Sequence, residues 1–234
     1  MTDEAAVIMR DARFRFRTRG AAPDFALHVA DLRVESGETV LLVGPSGSGK
    51  STLLNIVCGA LPAEGTVRVL GEELPAMSGP RRDRFRARRL GVVFQGFNLV
   101  PYLTVMENVL LPVRLARAGV AEPKRRAHDL LAALGLPSSL GGARADRLSA
   151  GQGQRVAAAR AFMLRPGLVV ADEPTSALDA DAREAFLGLL FAQARDAGAA
   201  VLAVSHDPAL REQFDRTVEL SSVVSEGPMN PDPA

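Results

Sequence analysis

The chain has 234 residues, 47% of them hydrophobic and 24% charged, enough to bury one substantial core as a single large domain or as two lobes sharing a site. Its 28 basic and 27 acidic side chains leave a formal charge of +1, which excludes a global field able by itself to recruit nucleic acid or an anionic membrane. The longest apolar run falls far short of the roughly 18 residues of a membrane span, Met1–Arg10 lacks the pattern of a secretory signal, and the lone Cys58 excludes an internal disulfide, so a reducing cytoplasm is expected.

Val7–Arg17 and Phe25–Val34 alternate apolar and polar residues as half-buried antiparallel strands do, with a turn-like Arg19–Asp24 between them. Thr39–Val43 is continuously apolar, the pattern of a strand buried on both faces, and Lys50–Leu61 has helical spacing that places Cys58 among Leu53, Leu54, Ile56 and Val57 as a small buried hydrophobe. Between strand and helix, Gly44-Pro45-Ser46-Gly47-Ser48-Gly49-Lys50-Ser51 fits G-x-x-x-x-G-K-[ST]. Glycines let backbone N–H groups approach phosphates, and a helix N-terminus adds unpaired donors and a positive dipole end. ATP is therefore expected at Gly44, Ser46, Gly47, Gly49, Lys50, Ser51 and Thr52, with Lys50 on the β- and γ-phosphates and Ser51 on Mg2+.

Gly65–Leu70 and Gly91–Phe94 read as short strands. Between them Arg81, Arg82, Arg84, Arg86, Arg88 and Arg89 form a basic cluster, but Asp83 interrupts it and Phe85 and Leu90 give it a buried side, so a solvated amphipathic helix is expected rather than a nucleic-acid site. Thr104–Arg117, Glu122–Leu134 and Ala150–Leu164 read as helices, with Gly135 a C-cap. From Leu168 the order is strand (Leu168–Ala171), helix (Asp181–Ala197), strand (Ala200–Val204), short helix and a last strand near Thr217–Leu220, which predicts a parallel sheet covered by helices. The strand from Leu168 ends in Asp172 and Glu173: Asp172 is the metal-side carboxylate, and Glu173, facing the opposite way by strand alternation, is the candidate general base. The tail 226–234, with three prolines, is expected to be disordered.

The segment Leu148-Ser149-Ala150-Gly151-Gln152 resembles the Leu-Ser-Gly-Gly-Gln signature of the ATP-binding subunits of ABC transporters, with Ala150 where the first glycine is usual. The resemblance runs from about Val7 to Leu220. It implies an α/β fold: a P-loop NTPase core with a parallel sheet, an N-terminal antiparallel β part and an inserted α-helical signature subdomain. A single domain 1–225 would then divide into an ATP-binding core (1–95 and 165–225) and a helical part (96–164). It also implies a head-to-tail dimer in which Ser149 and Gly151 meet the γ-phosphate bound to the second copy. Ala150 would weaken dimer closure if its position required positive φ or very close approach. Gln95 matches the glutamine that senses Mg2+ and attacking water, Asp179 belongs to a loop crossing the dimer interface, and His206 matches the switch histidine on the γ-phosphate. Phe16, or alternatively Phe14, would stack on adenine.

Arg88–Val109 and Ala171–Ser176 are similar to the lipoprotein-releasing and macrolide-export ATP-binding subunits. That similarity implies a motor on the cytoplasmic face of the inner membrane, exporting or extracting lipoprotein, lipid or drug-like cargo. Its integral membrane partner would have a large extracytoplasmic domain and dock an amphipathic element near Gln95–Asn108, on Phe97, Leu99, Tyr102 and Leu103. No nucleic-acid partner is expected. Alternatives are a cell-division ATPase regulating cell-wall hydrolases, a non-transport ABC ATPase and an importer motor.

Overall fold

A computed structural model describes residues 5–16 and 25–225, the side chains of Phe16, Phe25 and Ser225 excepted. The first half contains β1 (Val7–Phe16), β2 (Phe25–Val34), β3 (Thr39–Val43), α1 (Lys50–Val57), β4 (Glu64–Val69), β5 (Glu72–Glu73), α2 (Gly79–Arg89), β6 (Leu90–Val93) and α3 (Val105–Leu115). After these come α4 (Pro123–Ala133), α5 (Ala150–Phe162), β7 (Leu168–Asp172), α6 (Ala180–Ala197), β8 (Ala200–Ser205), β9 (Arg216–Glu219), α7 (Leu220–Val223) and β10 (Val224–Ser225). The strand and helix sequence patterns locate most of these within a few residues. The two-residue β5 and β10 and the one-turn α7 are too short to carry a periodic signal, and none was anticipated.

Two sheets form. One is antiparallel in the order β10-β2-β1-β4-β5, and the other is parallel in the order β6-β7-β8-β3-β9. Side-chain alternation along the parallel strands divides their residues between two cores. Val40, Leu42, Leu168, Val170, Leu202 and Val204 face the antiparallel sheet and α1. Leu41, Val43, Val169, Ala171, Val201 and Ala203 face α3 to α6, among them Val109, Leu131, Phe162 and Phe186. The parallel sheet is thus the middle of three layers, which explains why its strands read as unbroken apolar runs while β1 and β2 alternate.

The arginine cluster is α2, with Phe85 buried and its neighbours half-buried or exposed. Gly135, with φ 70°, follows the end of α4 as a left-handed stop. The last described elements fasten both sheets: β9 joins the parallel sheet beside β3, and five residues on, β10 pairs with β2. Residues 17–24 and 226–234, where a turn and a disordered tail were expected, lie outside the described residues.

Candidate functional site

All strands of the parallel sheet run the same way, so their C-terminal ends share one edge, the usual place for a ligand in such sheets. Along that edge β3 delivers the phosphate loop, β6 delivers Gln95, β7 delivers Asp172 and Glu173, and β8 delivers Ser205 and His206. Ser46, Gly47, Gly49, Lys50, Ser51, Thr52, Gln95, Asp172, Glu173 and His206 line one cleft of about 370 Å3. Ten of the predicted site residues, drawn from four strands, therefore converge.

Within the loop, Gly47 and Gly49 have φ of 81° and 92°, a backbone state that glycine adopts without a Cβ penalty. Gly49 precedes the first turn of α1, so the unpaired N–H groups of that turn point into the cleft. Lys50 is only 8% exposed, unusual for a lysine. Its ammonium donates to the carbonyls of Gly44 (2.7 Å) and Pro45 (2.9 Å), which hold the charge against the loop. Gly44 lies under the loop: a Cβ there would sit 3.2 Å from Leu220 Cβ, at the start of α7.

Burial raises the Asp172 carboxyl above its ordinary value, and the nearby Glu173 charge adds to this, while the Ser51 hydroxyl bond and the Lys50 charge oppose it. A half-desolvated carboxylate bonded to a serine hydroxyl beside Gln95 is a hard-oxygen donor set, suited to a small divalent cation that also binds phosphate oxygens. No cluster of three or more His, Cys, Asp or Glu ligands occurs among the described residues.

Glu173 is not placed by strand alternation, as the sequence had suggested. It lies one residue past β7 with φ 46°, a left-handed conformation uncommon outside glycine, while its N–H still donates to Val204 O at 3.0 Å. This turn swings the side chain toward the end of β8. There Oε2 accepts from Ser205 Oγ (3.0 Å), and Oε1 accepts from the His206 N–H (3.0 Å) and lies 2.7 Å from His206 Nδ1. A carboxylate takes Nδ1 as its donor, leaving Nε2 as the ring atom free for the cleft. The sequence gives Glu173 and His206 separate roles and does not reveal that they pair.

A family model described as ABC transporter matches residues 27–176. A lipoprotein-releasing system ATP-binding protein LolD from Anaeromyxobacter dehalogenans is 45% identical over 207 residues, covering 86% of each chain. Another, from Pseudomonas fluorescens, is 39% identical and covers 94% of this chain and 96% of its own. The chain belongs to the ABC transporter family. Among solved structures, the dimeric form of a bacterial ABC transporter cassette superposes with a TM-score of 0.80 at 31% identity, covering 91% of this chain and 93% of that one. The same cassette in a post-hydrolysis state bound to ADP and Pi gives 0.79. This chain is accordingly a nucleotide-binding ABC ATPase.

The signature residues of this ABC ATPase do not line its own cleft. Ser149 caps α5 in a reciprocal box: its Oγ accepts from Gln152 N (3.3 Å), and Gln152 Oε1 accepts from Ser149 N (3.0 Å). The hydroxyl proton is left for another acceptor. Ala150 is the first residue of α5 and is absent from the residues of positive φ, so the backbone objection to alanine there does not apply. Asp179 caps α6, accepting from Ala182 N at 2.8 Å, and is exposed outside the cleft. Phe14 is buried at 7% exposure in the core between the sheets and is not an adenine platform, whereas the Phe16 side chain lies outside the described residues.

The expected docking residues differ in exposure, Phe97, Leu99 and Leu103 being half-buried and Tyr102 exposed. Leu99 packs on the helical core, and Phe97 packs against α5. Tyr102 is 72% exposed. An apolar groove nearby, about 310 Å3, is lined by Leu90, Phe94, Leu111, Pro112, Leu115 and Leu164, together with Arg86 and Arg160. A larger depression of about 1060 Å3 lies between α4 and α6, but its lining mixes Arg126 and Arg165 with Asp129 and Asp196 and includes no residue of the cleft.

Proposed function

We propose that this ABC ATPase is the motor of a lipoprotein-releasing type transporter, working as a dimer against an integral membrane subunit on the cytoplasmic face of the inner membrane. The observation that carries the catalytic part is the Glu173 carboxylate, held by Ser205 and His206 in the cleft that Lys50 and Ser51 also line. The cargo class is supported by relatives up to 45% identical that are lipoprotein-releasing system ATP-binding proteins.

In this reading Gly44–Thr52 cradle the ATP phosphates, and Lys50 trades its loop carbonyls for the β- and γ-phosphate oxygens. Ser51, Asp172 and Gln95 would hold Mg2+, which when bound neutralises charge on those oxygens. Glu173 orients the attacking water and takes its proton, His206 Nε2 faces the γ-phosphate, and Ser149 and Gly151 complete the site of the second copy. Phe16 remains the proposed adenine platform. Residues 96–164 act as the helical lobe and 1–95 with 165–225 as the ATP-binding core. The groove between α2 and α3 receives an amphipathic element of the membrane subunit, whose large extracytoplasmic domain belongs to the same proposal.

The test is Glu173→Gln. ATP binding should persist while turnover drops by roughly 10²-fold or more, the scale of a lost general base. A tagged Glu173→Gln chain, isolated with ATP from detergent-solubilised native membranes, should bring down a membrane protein with a large extracytoplasmic domain, identified by mass spectrometry. Recovery with ribosomes or DNA alone would replace the transporter assignment with that of a non-transport ATPase.

A further inference from the structure

The segment joining Gln95 to α3 is held against α5 by contacts that none of the roles above uses. Phe97 and Asn98 both have left-handed backbone, with φ of 57° and 46°. Asparagine enters that region readily, but a bulky residue such as Phe97 keeps it only where its surroundings impose it. Here the surroundings include Arg160 of α5, whose guanidinium donates to Asn98 O (2.6 Å) and Phe97 O (2.8 Å). Arg160 forms no ion pair among the described residues, so these two carbonyls are what its charge meets.

A second contact lies at the other end of the same helix. The Phe97 ring rests on Gly153, where a Cβ would come within 3.0 Å of ring carbon Cδ2 and 3.2 Å of Cε2. That spacing is tighter than ordinary van der Waals contact, so an alanine there would push the ring aside by a few tenths of an ångström while Arg160 holds its backbone. Glycine inside a helix is otherwise unfavourable relative to alanine, so the ring accounts for its presence better than the helix does. Gly96, Phe97, Leu148, Ser149 and Gly153 line one small depression of about 130 Å3. The loop that ends in the cleft at Gln95 and the turn that presents Ser149 are therefore joined through one ring.

We infer that Gly153, Phe97 and Arg160 are positioning residues of the ATPase: they lock the Gln95 loop to the turn that presents Ser149, so that the two reach their phosphates as one rigid unit. This rests on the roles proposed above for Gln95 and Ser149. It predicts that disturbing the ring slows turnover without weakening the grip of the phosphate loop on ATP.

The experiment is steady-state ATPase kinetics and thermal melting on the full chain, comparing Gly153→Ala, Phe97→Ala, the double variant and Ser149→Ala. Gly153→Ala should melt no lower than the parent and keep its KM for ATP within about twofold, yet lose roughly tenfold or more in kcat, in line with the cost of small misplacements near the chemistry. In the Phe97→Ala background the same substitution should cost little more, because the ring it displaces is gone. Should Gly153→Ala not fold, Arg160→Lys, which keeps the charge but cannot bridge both carbonyls, must show the same loss in kcat at unchanged KM. Parental kcat in Gly153→Ala, or an equal loss in both backgrounds, overturns the inference. Parental turnover in Ser149→Ala overturns the proposed role of Ser149 and the inference with it. An inactive Ser149→Ala beside a fully active Gly153→Ala overturns the inference alone.

Discussion

Cys58 closes α1 on its buried side, and burial pushes its thiol up to about 12, with only the Arg86 charge pulling the other way. At neutral pH almost none of it is thiolate, the form that reacts. An aromatic disulfide reagent should therefore leave the native chain unmodified and titrate one thiol once guanidinium unfolds it; fast native labelling would show that α1 opens on the timescale of the assay. At this scale the sequence was most legible where chemistry is written contiguously. The phosphate loop, the Asp172–Glu173 pair and the apolar setting of Cys58 each sit within a few neighbouring residues. What stayed illegible was the orientation of Glu173, because its partners Ser205 and His206 stand 32 and 33 residues away and its left-handed turn has no glycine to mark it. Asn108 is a similar case. It is fully buried, with its side chain bonded to Val100, Leu103 and Thr104, yet nothing in an amphipathic helix pattern sets it apart.

Among the elements, α3 and α5 start alike, each with a reciprocal capping box: Thr104 with Glu107, and Ser149 with Gln152. Removing either hydroxyl should cost about 1 kcal/mol of stability, the usual loss of a helix cap. The two should separate in function. Thr104→Ala should lower the melting temperature while leaving ATP turnover at the parental rate, whereas Ser149→Ala, with a similar fall in melting temperature, should also lose most turnover. Equal turnover in the two variants would reduce Ser149 to a cap. Helix starts of this kind can be read from sequence because the box is local. The apolar groove could not be, because Leu90 comes from β6, Phe94 from the loop after it and Leu111 and Leu115 from α3, and their adjacency depends on how these segments pack.

For the molecule as a whole, the join between the early strand β3 and the late strand β9 of the parallel sheet depends on charge. At the start of β3 the Thr39 N–H and hydroxyl both donate to Asp215 Oδ2 at 2.8 Å, and beside them Arg216 clasps Glu38 at 2.6 and 3.1 Å. The two Thr39 bonds hold Asp215 below its ordinary value of 3.8. Burial works to raise Glu38, but the bonds from Arg216 and the Glu35 N–H outweigh it and keep the carboxyl below 4.5. Both groups are thus more acidic folded than unfolded, so their contribution is complete above those ordinary values and is lost as pH falls through the lower, folded ones. The melting temperature should hold steady from neutral pH down toward that range and then drop. Asp215→Asn should melt lower at neutral pH and show a shallower acid limb; an unchanged limb would assign acid sensitivity to other carboxylates. None of this was visible beforehand, since Thr39 and Asp215 are 176 residues apart.

That separation also bears on how the chain is made. Strand β3 emerges early in synthesis, carrying the phosphate loop behind it, but both of its neighbours, β8 and β9, come from the last fifth of the described residues. Leu220, which lies against Gly44, comes later still. A ribosome can therefore release the antiparallel part to pair early, while the sheet edge on which ATP would sit waits for nearly the whole chain. A stalled or shortened product lacks the strands on either side of β3, so partly made copies of this ATPase are expected to be unable to hold nucleotide or to compete with finished ones for a membrane partner.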